Sequence, residues 1–134
     1  MFTLGTIREF QTAHFRIIID AIEEDAPDLS FDETGEVLEK VDSGEYTVFC
    51  ARARVIHDTL GELASDYLGN CIYSDISEFE DHRQCAAETR RLHLEGSNAV
   101  CGSYFADMIG EVCREARKRI QELKTEAASI YVRA

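Results

Sequence analysis

The sequence predicts an α+β domain: a small antiparallel sheet of about three strands, packed by a long C-terminal helix and one or two shorter helices. Residues 45–57 alternate between two faces, as a half-buried strand does. Apolar residues recur at steps of three and four over 103–128, as on the buried stripe of a helix. Because the strands precede these helices in the chain, the pattern favours separate sheet and helix layers.

The first element is ambiguous between a strand and a helix. Residues 14–23 include three consecutive isoleucines, which lose rotamer freedom in a helix and suit a pleated surface. An alternative helix would begin at a capping box of Thr6 and Glu9. Its apolar stripe would consist of Ile7, Phe10, His14, Ile17 and Ala21. We favour the strand over 14–23, followed by a short acidic helix from about residue 30 to 41.

The middle of the chain predicts a hairpin and then a helix. A turn over 57–61 leads into a return strand over 62–66, and Gly69-Asn70 predicts a tight bend or bulge because both residues tolerate positive φ. Ser77 and Glu80 fit a capping box. A second helix would run from there to about residue 95, and its weak apolar stripe predicts a surface position.

Size and composition predict one globular domain over 1–134. The chain has 45% hydrophobic and 30% charged residues with one proline, which is ordinary for a folded protein. No stretch approaches the roughly 20 apolar residues that a membrane span needs, and the first residues lack the features of a secretory signal. We therefore expect a cytoplasmic protein without a membrane partner. Five widely spaced cysteines predict reduced thiols rather than a disulfide framework.

Negative charge is concentrated in one segment. Residues 20–45 hold eleven carboxylates and one lysine, which account for −10 of the net charge of −12. Residues 83–134, in contrast, carry a net charge of +2. The candidate partner-binding residues are Asp20, Glu23, Glu24, Asp25, Asp28, Asp32, Glu33, Glu36 and Glu39.

A concentrated acidic face suits a basic protein surface and repels nucleic acid. On an extended chain the charges would lie roughly 9 Å apart, whereas a folded face about 30 Å long would carry about one charge per 3 Å. That density begins to approach the charge per ~1.7 Å of duplex DNA. We therefore expect the partner to be the basic surface of a nucleic-acid-handling protein complex, with no direct nucleic-acid binding. A solvated face that only maintains solubility is the simpler alternative.

Catalytic and metal-binding signatures are absent from the sequence. It has no phosphate-binding loop, dinucleotide fingerprint, nucleophile elbow or calcium loop. We therefore predict no enzymatic activity, metal or cofactor. One alternative is a small metal- or thiol-dependent protein centred on His82, Cys85, His93 and Cys101, whose spacings match no common zinc module. A homodimeric structural protein in which the long helix pairs with itself is another.

Small size, segregated acidic charge and missing catalytic motifs together give the chain a resemblance of type to acidic accessory proteins of phages and plasmids. Anti-CRISPR proteins are among them. The resemblance implies an inhibitor that offers carboxylates to a nucleic-acid-binding groove. It rests on these general properties, so it transfers no individual functional residue to this chain.

Overall fold

A computed structural model describes residues 2–81 and 104–133 of the chain. Their elements are β1 (Thr3–Gln11), β2 (Phe15–Glu23), α1 (Glu36–Asp42), β3 (Thr47–His57), β4 (Gly61–Tyr73), α2 (Glu78–Asp81) and α3 (Tyr104–Arg133). The α+β class is confirmed. The sheet has four antiparallel strands in the order β1-β2-β3-β4, not about three.

The hydrophobic core lies between the sheet and α3. Its sheet side includes small fully buried residues, such as Ala51 and Ala53 of β3, which permit close approach of the helix. Met108, Val112 and Ala116 of α3 complete this layer. The predicted long helix is confirmed and continues beyond residue 128. Its predicted apolar stripe is buried only as far as Ala116, because no residue of 117–130 is buried.

Strand β1 was not expected, and its irregular pairing explains why. Its register against β2 shifts between Thr3 and Gly5 and again between Thr6 and Arg8. Each shift inserts an extra residue, so the side chains lose the period of two that identifies a strand. Half-buried Ile7 therefore lies three residues from half-buried Phe10, as it would in a helix. The preference for a strand over 14–23 is confirmed by β2.

The predicted bulge is present, and the return strand is longer than expected. The pairing of β4 with β3 shifts register around Gly69-Asn70 and then resumes, so β4 continues to Tyr73. Asn70 has a φ of 58°, which places it in the left-handed region. A bulge thus allows a long strand to bend without losing its partner.

The predicted helix over 77–95 is described only for α2, since the remainder lies outside the described residues. Phe79, which belongs to the weak apolar stripe of this predicted helix, is buried. Its ring makes edge-to-face contacts with Phe49, Tyr73 and Phe105 at centroid distances of 6.2, 5.9 and 6.4 Å. One large aromatic side chain therefore anchors α2 on the core.

Within the described residues, no helix is both long and apolar enough to cross a membrane.

Candidate functional site

The connection between β2 and β3 holds most of the acidic residues at one end of the sheet. We call residues 23–45, which include α1, the acidic lobe. The lobe contains ten carboxylates and one lysine, for a net charge of −9. Eight of these carboxylate residues are exposed, and Glu24 and Asp32 are half-buried. Within the described part of the chain, none of the ten forms an ion pair.

Asp20 does not belong to this exposed surface. Its side chain is only 4% exposed and lies between two arginines of the neighbouring strand. Arg52 donates from Nε to Oδ1 at 3.1 Å and from Nη2 to Oδ2 at 2.9 Å, and Arg54 donates from Nη2 to Oδ2 at 3.1 Å. The hydrogen bond to Asp20 raises the pKa of Arg52. Because the carboxylate is buried and neutralised, Asp20 has a structural role instead of the predicted partner-binding one.

Asn70 of β4 ties the start of the acidic lobe to the sheet. Its Oδ1 accepts a hydrogen bond from the Asp28 amide at 2.9 Å, and its Nδ2 donates to the Asp28 carbonyl at 2.8 Å. The backbone amide of Asn70 also donates to Oε2 of Glu24 at 2.9 Å. A Cβ at Gly69 would lie 2.9 Å from that same oxygen, so glycine allows Glu24 to reach the strand. The bulge thus positions the lobe through side-chain and backbone contacts.

Two aspartates stabilise turns inside the lobe. Oδ1 of Asp28 accepts a hydrogen bond from the Ser30 amide at 3.0 Å, and this bond lowers the pKa of Asp28. Oδ2 of Asp32 accepts from the Leu38 amide at 3.0 Å, which satisfies a donor in the first turn of α1. Asp28 and Asp32 therefore maintain the shape of the lobe as well as contributing charge.

The acidic helix begins later than predicted. Gly35 precedes its first residue with a φ of 78°, a left-handed conformation that interrupts a helix running from residue 30. Glu33, Glu36 and Glu39 lie exposed around this short element. Since α1 has no buried residue, its outer surface is available to a partner.

Apolar side chains accompany the carboxylates. Phe31 is 58% exposed and Leu38 is 47% exposed, both within the lobe. Phe31 also lines a groove with residues 68–73 of β4 and with Tyr104. At a protein interface, charged residues attract the partner and exposed apolar residues bury apolar surface against it. The lobe offers both features.

The metal- and thiol-dependent alternative centres on His82, Cys85, His93 and Cys101, all of which lie outside the described residues. Among the described residues, no group of three or more histidine, cysteine or acidic side chains is arranged to hold a metal ion. Burial raises the pKa of the Cys71 thiol to about 11, so Cys71 is protonated at neutral pH. Burial also raises the pKa of Cys50.

A histidine cluster at the opposite end of the sheet was not predicted. His14 and Asp58 follow β1 and β3 respectively, and their Nδ1 and Oδ2 atoms lie 3.0 Å apart. The hydrogen bond from His14 lowers the pKa of Asp58. Nδ1 of His57 accepts from the amides of Thr59 and Leu60 at 3.1 Å each. The two turns meet only through the strand register, so sequence spacing gave no signal of this cluster.

Comparison with known proteins supplies no further assignment, because no family model, curated protein or solved structure matches this chain.

Proposed function

We propose that the protein is a non-enzymatic inhibitor whose acidic lobe binds the basic, nucleic-acid-binding surface of a cytoplasmic protein complex. The observation that carries this proposal is the set of ten carboxylates at one end of the sheet that form no ion pair with a described residue. Asp20 is the contrasting case, because two arginines neutralise its charge inside the fold. The carboxylates of the lobe instead keep their charge available to a partner.

The proposed mechanism is competition for a lysine- and arginine-rich groove. Nucleic-acid-binding grooves attract polyanions and release condensed counterions when they bind. A lobe with a net charge of −9 would occupy such a groove electrostatically, while the sheet behind it would sterically exclude DNA or RNA. An inhibitor of anti-CRISPR type would act in this way. The eight residues we assign to partner binding are Glu23, Glu24, Asp25, Asp28, Asp32, Glu33, Glu36 and Glu39.

Shape supports the proposal beyond the charge itself. The lobe is tethered at Asn70, and the first turn of α1 is hydrogen-bonded to Asp32. Ordering the carboxylates before binding reduces the conformational entropy that a flexible acidic tail would lose. Exposed Phe31 and Leu38 would add apolar contact at the same surface.

The test is capture of DNA-binding proteins by the immobilised protein. The bait is incubated at about 50 mM NaCl, where charges act over more than ~10 Å, with cell proteins that first bound a duplex DNA column. The test variant carries Glu33→Lys and Glu39→Lys, since both residues are exposed and hold no side-chain hydrogen bond to a described residue. We expect it to lose capture roughly tenfold or more, the effect of about 1.4 kcal/mol.

The matched control carries Glu62→Lys and Glu115→Lys, two exposed residues outside the lobe. It changes the net charge by the same amount, so general electrostatics predicts the same loss for both variants. Our proposal instead predicts capture by the control close to that of the original protein, and release of the captured protein by added duplex DNA. Equal loss in both variants, or capture that duplex DNA does not compete, would contradict it.

A further inference from the structure

The acidic lobe and the C-terminal part of α3 lie at opposite ends of the molecule. The lobe follows Glu23, the last residue of β2. Arg117 and Ile120 of α3 instead line a groove with Phe15, the first residue of β2, and with Val55. β2 spans nine residues, roughly 30 Å at about 3.3 Å per residue. The end of α3 therefore lies too far from the lobe of its own chain to contact it.

The C-terminal part of α3 carries an apolar stripe that lies outside the described hydrophobic core: its first two residues are half-buried and its last two are exposed. We call residues 117–130 the distal helix. Its stripe consists of Ile120, Leu123, Ala127 and Ile130. No residue of the distal helix is buried, and Ile130 is 68% exposed. An amphipathic helix that projects beyond its own core is suited to pack on another surface.

The distal helix is basic. It holds Arg117, Lys118, Arg119 and Lys124 against two glutamates, for a net charge of +2. Arg119 pairs with Glu122 at 3.3 Å, whereas the other three cations form no ion pair with a described residue. Because helical residues are about 100° apart, Arg117 and Lys124 flank the apolar stripe, and Lys118 lies on the opposite face. The stripe is thus bordered by available positive charge.

Each surface supplies what the other lacks. The acidic lobe presents Phe31 and Leu38 with carboxylates that form no ion pair to a described residue. The distal helix presents an apolar stripe with three cations that are likewise without an ion pair in the described part of the chain. A second copy in antiparallel orientation would bring each distal helix to the other copy's lobe. This arrangement closes under two-fold symmetry, so it makes two equivalent contacts and does not propagate into a fibre.

Pairing of the two distal helices with each other is less favourable. An antiparallel alignment that places Ile120 against Ile130 of the second copy also places Lys124 beside its own equivalent, and Glu126 likewise. A parallel alignment places Arg119 near Lys124 of the second copy. Like charges at flanking positions oppose association in both alignments. Charge complementarity therefore selects the acidic lobe as the surface on which the distal helix packs.

We propose that the protein self-associates as a two-fold dimer in which the distal helix of each copy binds the acidic lobe of the other. The dimer would cover the surface to which we assign partner binding. A basic partner would then have to displace the distal helix, and dimerisation would regulate the inhibitor. The self-association itself stands without any external partner and is tested without one.

The experiment measures mass by light scattering and sedimentation at about 50 and 500 mM NaCl, which shorten the screening length from roughly 14 to 4 Å. We expect a dimer at low salt and a monomer at high salt. Lys124→Glu should weaken the dimer roughly tenfold or more, because its charge flanks the stripe. Lys118→Glu is the matched control: it makes the same charge change on the opposite face and should leave the dimer within about twofold.

Carboxyl-to-amine coupling with a carbodiimide identifies the contact. Mixing ¹⁵N-labelled and unlabelled protein distinguishes links between copies by mass spectrometry. We expect mixed-isotope links that join Lys124 to carboxylates of residues 23–45, and few from Lys118, which lies on the opposite face. A monomer at both salt concentrations, equal effects of the two lysine variants, or links that join helix to helix would each overturn the proposal. Since no partner is present, those outcomes would leave the proposed inhibitor function to its own test.

Discussion

Asp20→Asn should destabilise the fold, even though removing one of eleven neighbouring negative charges reduces the repulsion among them. Charge-assisted hydrogen bonds contribute about 1.5–3 kcal/mol each, and removing one partner of a fully buried ion pair costs about 3–5 kcal/mol. The Arg52 and Arg54 side chains are 20% and 23% exposed, so water compensates part of this loss. We expect a loss of about 2–3 kcal/mol and a fall in Tm of roughly 6–12 °C.

Urea unfolding followed by circular dichroism measures this loss, with the dependence on urea concentration compared between variants. The matched control is Asp25→Asn, since Asp25 is exposed in the same acidic segment and should stay within about 0.5 kcal/mol. Capture of a DNA-binding partner should survive Asp20→Asn at temperatures where the variant is folded. If both variants unfold at the same urea concentration, the structural role of Asp20 is wrong.

Three further predictions concern the lobe and the core. Asn70→Gly keeps the left-handed backbone but removes two hydrogen bonds to Asp28, so amide exchange at Asp28 should accelerate; unchanged exchange would mean that the tether contributes nothing. Cys71, with its pKa raised to about 11, should resist iodoacetamide at about pH 8 in the native protein and react after unfolding; equal labelling in both states would contradict its burial. Gly35→Ala should lower the free energy of unfolding in urea by about 1 kcal/mol, because Gly35 has a φ of 78°. A Cβ there would meet no atom within 4 Å, so the cost is conformational and not a steric clash. No loss of stability would show that α1 starts differently.

Strong local periodicity made part of the fold predictable. The alternation in 45–57 and the stripe in 103–128 each repeat over several periods, so β3 and α3 were identified in type. The Gly69-Asn70 bulge was predictable because those residue types tolerate positive φ. Each of these features depends on residues that are close together in the chain, so it can be predicted from a short stretch of sequence.

Features that depend on strand register were not predictable. The shifts in β1 erase its alternation, so Ile7 and Phe10 resembled a helical stripe. Asp20 looked like its acidic neighbours because its partners Arg52 and Arg54 are more than thirty residues away in the chain. Only the pairing of β2 with β3 brings them together. Because Asp20 is paired with Arg52 inside the sheet, its side chain is buried and does not belong to the exposed surface of the lobe.

The salt dependence of partner binding tests the central claim most directly. A captured DNA-binding protein is titrated with the original protein and with the Glu33→Lys, Glu39→Lys variant at several NaCl concentrations. If the acidic lobe acts as a polyanion in a basic groove, log affinity should fall steeply with log salt, and the variant should bind more weakly with a shallower slope. Affinity that is independent of salt and unchanged by the two reversals would contradict the account.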